Sequence, residues 1–190
     1  EDLYGRSLRV PLPLDTQHFP LKSVPAGNSP IVGFSGKAYR SGRKGEDLAG
    51  RLVEEFGGRC GFMASGKKWP CPTKWYSWEE MPAFFQSLDV YVSTSVVEGG
   101  PMPTLEALAT GVPVVIASGV GLHDELPDVE GIYRFEKGNY EGLRRALDQA
   151  LGEYRDVDRN LLRKSTHPHT VDNWCEATKT AFEDFLSPTS

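Results

Sequence analysis

Short apolar runs alternate with helix-periodic stretches along this chain, and that alternation leaves few folds open. IVGFSG (31–36), RCGFMAS (59–65), DVYVSTS (89–95), VPVVIA (112–117) and GIYRFE (131–136) read as strands, with PTKWYS (72–77) as a shorter one. Between them, residues 45–56 place Leu48, Leu52, Val53 and Phe56 on one helical face. Residues 139–154 do the same with Leu143, Leu147, Ala150, Leu151 and Tyr154. SWEEMPAFFQSL (77–88) opens with Ser77 and Glu80 at capping-box spacing, and Pro82 marks an early-turn position or a kink. A last helix from about Thr170 lines up Val171, Trp174, Ala181, Phe182 and Phe185. The predicted fold is α/β, a Rossmann-like parallel sheet with helices on both faces. In such sheets ligands bind outside the carboxyl ends of the strands, so the loops after 36, 65, 95 and 117 are the ones to read for chemistry.

The 190 residues suffice for one domain with a real core, and a net charge of −5 argues against a general nucleic-acid surface. No apolar run reaches the roughly 18 residues a membrane span needs, and EDLYGRSLRV shows no signal peptide. A chain opening on Glu rather than Met reads as an excised or processed piece. Cys60, Cys71 and Cys175 are too few and too scattered for a disulfide framework or a zinc site. The expected location is the cytoplasm, free or peripheral to a membrane. Five prolines between Pro11 and Pro30 make the first 29 residues a strand fragment and an extended linker.

EGGPMPTLEALATGVPVV (98–115) concentrates the chemistry. Glu98 falls in a loop rich in Gly and Pro, and Glu106, with seven residues between, falls in a short helix. Pro101 and Pro103 pre-set φ at the helix start, and Gly111 supplies its left-handed stop. A helix N-terminus offers unpaired N–H groups and partial positive charge to an anion such as phosphate. A carboxylate beside it accepts hydrogen bonds from hydroxyls. Phosphate donors and hydroxyl acceptors in one segment fit a sugar nucleotide.

That string resembles the Glu, seven residues, Glu motif of retaining GT-B glycosyltransferases, the family that includes glycogen synthases and mannosyltransferases. LRVPLPLDTQHFPLK (8–22) resembles its interdomain segment, with Asp15 and Phe19 in characteristic positions, and GFSGKAYRSGRKGEDL (33–48) resembles its Gly-rich loop. DVYVSTSVVEGG (89–100) and GVPVVIASGVGLHDEL (111–126) follow the pattern too. The resemblance implies a carboxy-terminal, donor-binding half: an interdomain linker over 1–29, a nucleotide-sugar-binding domain over 30–165 and a C-terminal helix over 166–190. It implies a UDP- or GDP-sugar as donor substrate, no cofactor and no metal. It also implies an amino-terminal, acceptor-binding half in the same or another chain, with a glycan, lipid or protein acceptor. A nucleotide-sugar-binding module without catalysis and an epimerase-type enzyme are the alternatives.

By the same resemblance, Arg40 and Lys44 hold the diphosphate, with Arg43 or Lys37 as alternatives to Arg40. Glu98 reaches hydroxyls of the transferred sugar, and Glu106 contacts the ribose. The chain departs from the commonest form in two places: Gly100 replaces an aromatic and Pro101 replaces a Gly. Proline has no N–H, which leaves the amides of Gly99, Gly100, Met102, Thr104 and Leu105 as donors. Trp75, Tyr76 and Trp78 lie near the position where the family edges the base. Three other signals are set aside. GFMASGKK (61–68) misses the P-loop hydroxyl because Lys68 takes its place. GVGLHD (119–124) lacks the third Gly of a dinucleotide fingerprint. His167 and His169 belong to no ligand cluster, and His123, near the expected site, reads as a loop residue rather than a base.

Overall fold

The computed structural model describes residues 10–23, 27–38 and 41–186. The chain forms β1 (Ile31–Lys37), α1 (Glu46–Phe56), β2 (Gly61–Lys67), β3 (Thr73–Lys74), α2 (Met81–Ser87) and β4 (Val90–Ser93). It continues with α3 (Met102–Ala109), β5 (Val114–Ser118), β6 (Ile132–Glu136), α4 (Tyr140–Glu153), α5 (Arg159–Lys164) and α6 (Val171–Leu186). The six strands make one parallel sheet in the order β3-β2-β1-β4-β5-β6.

Side-chain alternation along the strands builds the two covering layers. Val32 and Phe34 of β1, Val90 and Val92 of β4, Val115 and Ala117 of β5, and Tyr133 and Phe135 of β6 face one way. They bury against Ala49, Leu52 and Phe56 of α1 and Leu143, Leu147 and Ala150 of α4. Tyr91, Val114, Ile116 and Ile132 face the other way, against Phe84 and Phe85 of α2 and Leu105 and Leu108 of α3. Leu14 and Phe19 of the proline-rich segment join this second layer and are 1% and 0% exposed. Residues 10–23 are therefore part of the packed body. Asp15 caps the Gln17 and His18 amides, and Arg163 of α5 donates to the carbonyls of Thr16, Phe19 and Ala109.

A buried ion pair fastens the same segment to the sheet. Lys22 Nζ donates to Asp89 Oδ1 at 2.9 Å and to the Leu88 carbonyl at 2.6 Å. Asp89 Oδ2 accepts the Ile31 amide at 3.0 Å. Burial lowers the Lys22 pKa, and the Asp89 hydrogen bond and charge oppose that shift.

One expectation needs correction, and two others gain detail. The helix after 77 begins at Met81, because residues 78–80 form a turn in which Glu80 Oε2 accepts the Ser77 amide at 2.9 Å. That is half of a capping box set one turn early. It leaves Pro82 in the first helical turn, where its missing N–H costs nothing. The near-P-loop GFMASGK is the strand β2 itself, so it has no phosphate loop to offer. The amphipathic face of α6 covers no core: none of its residues is buried, and Phe182 is 52% exposed.

Candidate functional site

The strand order reverses between β1 and β4, and at that switch point the loops leaving two neighbouring strands diverge to open a crevice. The β1–α1 loop carries Lys44, and the β4–α3 loop carries Glu98. The two loops are knitted together. Thr94 Oγ1 donates to the Lys44 carbonyl at 2.6 Å, and the Val96 amide donates to the Arg43 carbonyl at 3.0 Å. Gly45, the N-cap of α1, sits at φ +66°, and a Cβ there would lie 2.0 Å from the Thr94 carbonyl oxygen. Only glycine suits that backbone and that approach. Gly45→Ala should cost about 1–3 kcal/mol in urea unfolding, and a silent substitution would show that the two loops are not held together here.

Lys44 Nζ and a carboxylate oxygen of Glu98 form an ion pair, and Ser95 Oγ donates to the same Glu98 oxygen at 3.0 Å. The two charged side chains are 15% and 12% exposed. The backbone of Glu98 is buttressed from behind. A Cβ on Gly121, at φ +51°, would meet the Glu98 carbonyl oxygen at 2.4 Å.

Glu106 lies in α3 and is 6% exposed. No hydrogen bond from a described residue reaches its carboxyl. Burial pushes its pKa up to about 7. Tyr91 on β4 reports the proximity of both glutamates, because its phenol pKa is raised first by burial and then by the charges of Glu106 and Glu98. Lys44 thus pairs with Glu98, and both glutamates act electrostatically on Tyr91 of β4.

The first turn of α3 consumes part of its own donor set. The Met102 amide donates to the Gly100 carbonyl at 2.8 Å and the Thr104 amide to the Pro101 carbonyl at 2.9 Å. Met102 and Thr104, expected as donors, are therefore engaged, because the chain must turn tightly out of Pro101 to enter the helix. Leu105 follows within α3. The amides of Gly99 and Gly100 make no hydrogen bond among the described residues. A Cβ at Gly99 would meet nothing within 4 Å, so its backbone faces open space. A Cβ at Gly100 would lie 2.1 Å from Cδ1 of Leu12, so Leu12 packs where position 100 lacks a side chain. Val10, Pro11 and Leu12 line an open cleft of about 470 Å³ with Gly99, Gly121, Leu122 and Glu125. Arg40 lies outside the described residues.

His123 is the residue that sequence reasoning undervalued. It is fully buried in a 3-10 turn, Gly121–Glu125, rather than lying open on a loop. Its Nδ1 is 3.1 Å from the Ala117 carbonyl and its Nε2 3.0 Å from Thr104 Oγ1. The carbonyl can only accept, so Nδ1 carries the proton and Nε2 accepts from Thr104. Burial lowers the His123 pKa to about 4, which keeps the ring neutral. It is thus a strut between the β5 loop and α3. A lone His in a loop gives no sequence signal for such a role. Of the three aromatics expected near a base, Trp75 is 66% exposed, Tyr76 packs on Phe84, and Trp78 stacks on His18 with centroids 4.4 Å apart.

Residues 73–164 match the family model described as glycosyl transferases group 1. The matched segment runs from β3 to the end of α5 and contains both glutamates. No curated protein matches the sequence. Among solved structures, the chain is similar to an apo lipopolysaccharide outer core galactosyltransferase, WaaB. The identity is 14% and the TM-score 0.76, covering 92% of this chain and 55% of that one. Sucrose-phosphate synthase from Thermosynechococcus elongatus aligns at 16% identity and TM-score 0.76, over 93% and 51%. Anabaena Alr3699/HepE in complex with UDP-glucose aligns at 14% identity and TM-score 0.72, over 93% and 56%. At these identities the likeness shows the fold, that of one half of a GT-B glycosyltransferase. The chain spans about half the length of these structures. No helix among the described residues is long and apolar enough to cross a membrane, and no group of His, Cys, Asp and Glu among them could hold a metal ion.

Proposed function

We propose that this chain is the donor-binding half of a retaining GT-B glycosyltransferase, which moves a sugar from a nucleoside diphosphate to an acceptor hydroxyl. The observation that carries the reading is the Lys44–Glu98 pair across the two switch-point loops, with a buried Glu106 whose carboxyl has no hydrogen-bond partner among the described residues and which acts on the same Tyr91 as Glu98. The matched segment spanning both glutamates supports it. In this reading Glu106 accepts hydrogen bonds from ribose hydroxyls. Glu98 orients the transferred sugar through its hydroxyls. Lys44, with Arg40, offsets charge on the diphosphate. The Gly99 and Gly100 amides, which have no protein partner among the described residues, donate to phosphate or sugar.

The chemistry asked of these groups is electrostatic. As the bond from the sugar's anomeric carbon to the diphosphate oxygen breaks, negative charge grows on the leaving group. A fixed ammonium and fixed amides stabilise it there without reorganisation. The acceptor hydroxyl then bonds the anomeric carbon on the face the diphosphate left, and its proton passes to the departing phosphate oxygen. Because the chain spans about half of its structural relatives, turnover belongs to this half together with an acceptor-binding half, and donor binding belongs to this chain alone.

The test is a melting-shift screen of UDP, GDP and ADP, with UDP first because a similar fold is solved with UDP-glucose. A matching diphosphate at about 100 times its dissociation constant should stabilise the chain by about 2.7 kcal/mol. No shift with any of the three, at millimolar concentration, rejects the reading.

A further inference from the structure

We infer that Glu98 is a specificity latch: in the ligand-free chain its carboxylate occupies the cation that the donor diphosphate needs, and the donor's sugar repays the displaced carboxylate. The inference rests on the donor-site reading and deepens it. Lys44 and Glu98 have separate partners in that reading, one a phosphate and the other a sugar, yet here they are partners of each other.

The surroundings suit an exchange confined to side chains. The Lys44 carbonyl is held by Thr94 Oγ1, and the Glu98 carbonyl abuts Gly121, so neither main chain needs to move. Lys44 Nζ reaches back over the end of β1, 3.5 Å from where a Cβ on Gly36 would stand. Ser95 Oγ donates to the same carboxylate oxygen that Lys44 holds. A diphosphate arriving at Lys44 competes with Glu98 for the ammonium, and repulsion between the two anions brought to one cation weakens the ion pair.

The displaced Glu98 then needs donors. Ser95 supplies one, and the hydroxyls of a transferred sugar supply more. A bare nucleoside diphosphate supplies none. The intact donor therefore opens the latch at little net cost, and the product diphosphate opens it at full cost. The pair thus favours substrate over product in one site and helps expel the diphosphate after transfer.

A double-mutant cycle on the 190-residue chain tests this, with UDP and GDP titrated calorimetrically into each variant. Glu98→Gln should raise diphosphate affinity roughly threefold to thirtyfold. The same substitution made on Lys44→Met should raise it not at all, since there is no cation left to release. Glu98→Asp, which keeps the charge but shortens the reach to Lys44, should reproduce much of the gain. An equal gain with and without Lys44, or no gain from Glu98→Gln or Glu98→Asp, overturns the latch while leaving the donor site standing. Failure of the unmodified chain to bind UDP, GDP or ADP overturns the donor-site reading itself, and the latch with it. Gln, Met and Asp add no bulk, and ligand-free melting of each variant confirms that it is folded.

Discussion

Asp89→Ala should destabilise the chain by about 3–5 kcal/mol in urea unfolding at neutral pH. The loss is not the worth of one ion pair. Asp89 is fully buried and Lys22 is 4% exposed, so removing the carboxylate strands an ammonium inside the protein that keeps the Leu88 carbonyl as acceptor but loses its counter-charge. It also strips the Ile31 amide of its acceptor at the head of β1. The deficit should shrink at higher pH. Burial already lowers the Lys22 pKa, and the Asp89 charge and hydrogen bond hold it up, so without Asp89 the amine sheds its proton more readily in the folded state. The folded chain then binds fewer protons than the unfolded one, and stability rises with pH toward the ordinary lysine range. A loss below about 1 kcal/mol, the size of an exposed pair, would show that the Pro-rich segment is not anchored through this contact.

Glu106→Gln should have opposite effects on stability and on binding. Burial raises the Glu106 pKa to about 7 from the ordinary carboxyl value of 4.5. Between those limits the folded chain holds a proton that the unfolded chain has lost, so stability falls as pH rises from about 4.5 through about 7. The glutamine variant lacks this slope. It should match the unmodified chain near pH 4 and exceed it by on the order of 2–3 kcal/mol at pH 8. Its diphosphate affinity should nonetheless fall by roughly 1.5–3 kcal/mol, the worth of charge-assisted hydrogen bonds to hydroxyls. Ligand binding should release protons near pH 6.5, seen as a buffer-dependent calorimetric enthalpy, because hydroxyl donors favour the ionised carboxyl. A variant with unchanged stability at pH 8 and unchanged affinity would mean that Glu106 is a carboxyl at ease in its pocket and no ribose ligand.

The sheet was legible because strands buried on both faces announce themselves as apolar runs, and their alternation with helical faces leaves little topological freedom. The loops that follow the strands came from that, while Lys44, Glu98 and Glu106 were singled out by the 98–115 segment and by the resemblance of that string and of the Gly-rich loop to a family pattern. The features that escaped depend on residues far apart in the chain. Nothing in the composition of a Pro-rich segment pairs Lys22 with Asp89, or seats Leu12 against Gly100. His123 reads as a loop residue until β5 and α3 are placed beside it. The loss of Met102 and Thr104 as donors is a matter of turn geometry, which residue types do not set. The last helix shows the reverse case. Its apolar periodicity is genuine, yet its face is left half exposed, because periodicity says which residues share a face and not what that face meets.

Amide chemical-shift mapping with UDP, GDP and ADP is the most direct measurement of whether one diphosphate ligand sits across the switch point. A matching ligand should move the resonances of Gly42, Lys44 and Gly45 on one loop and of Glu98, Gly99, Gly100 and Leu105 on the other, together, with a single dissociation constant. Shifts confined to the outer face of β6 and α4, or spread evenly over the surface with no saturation, would contradict it.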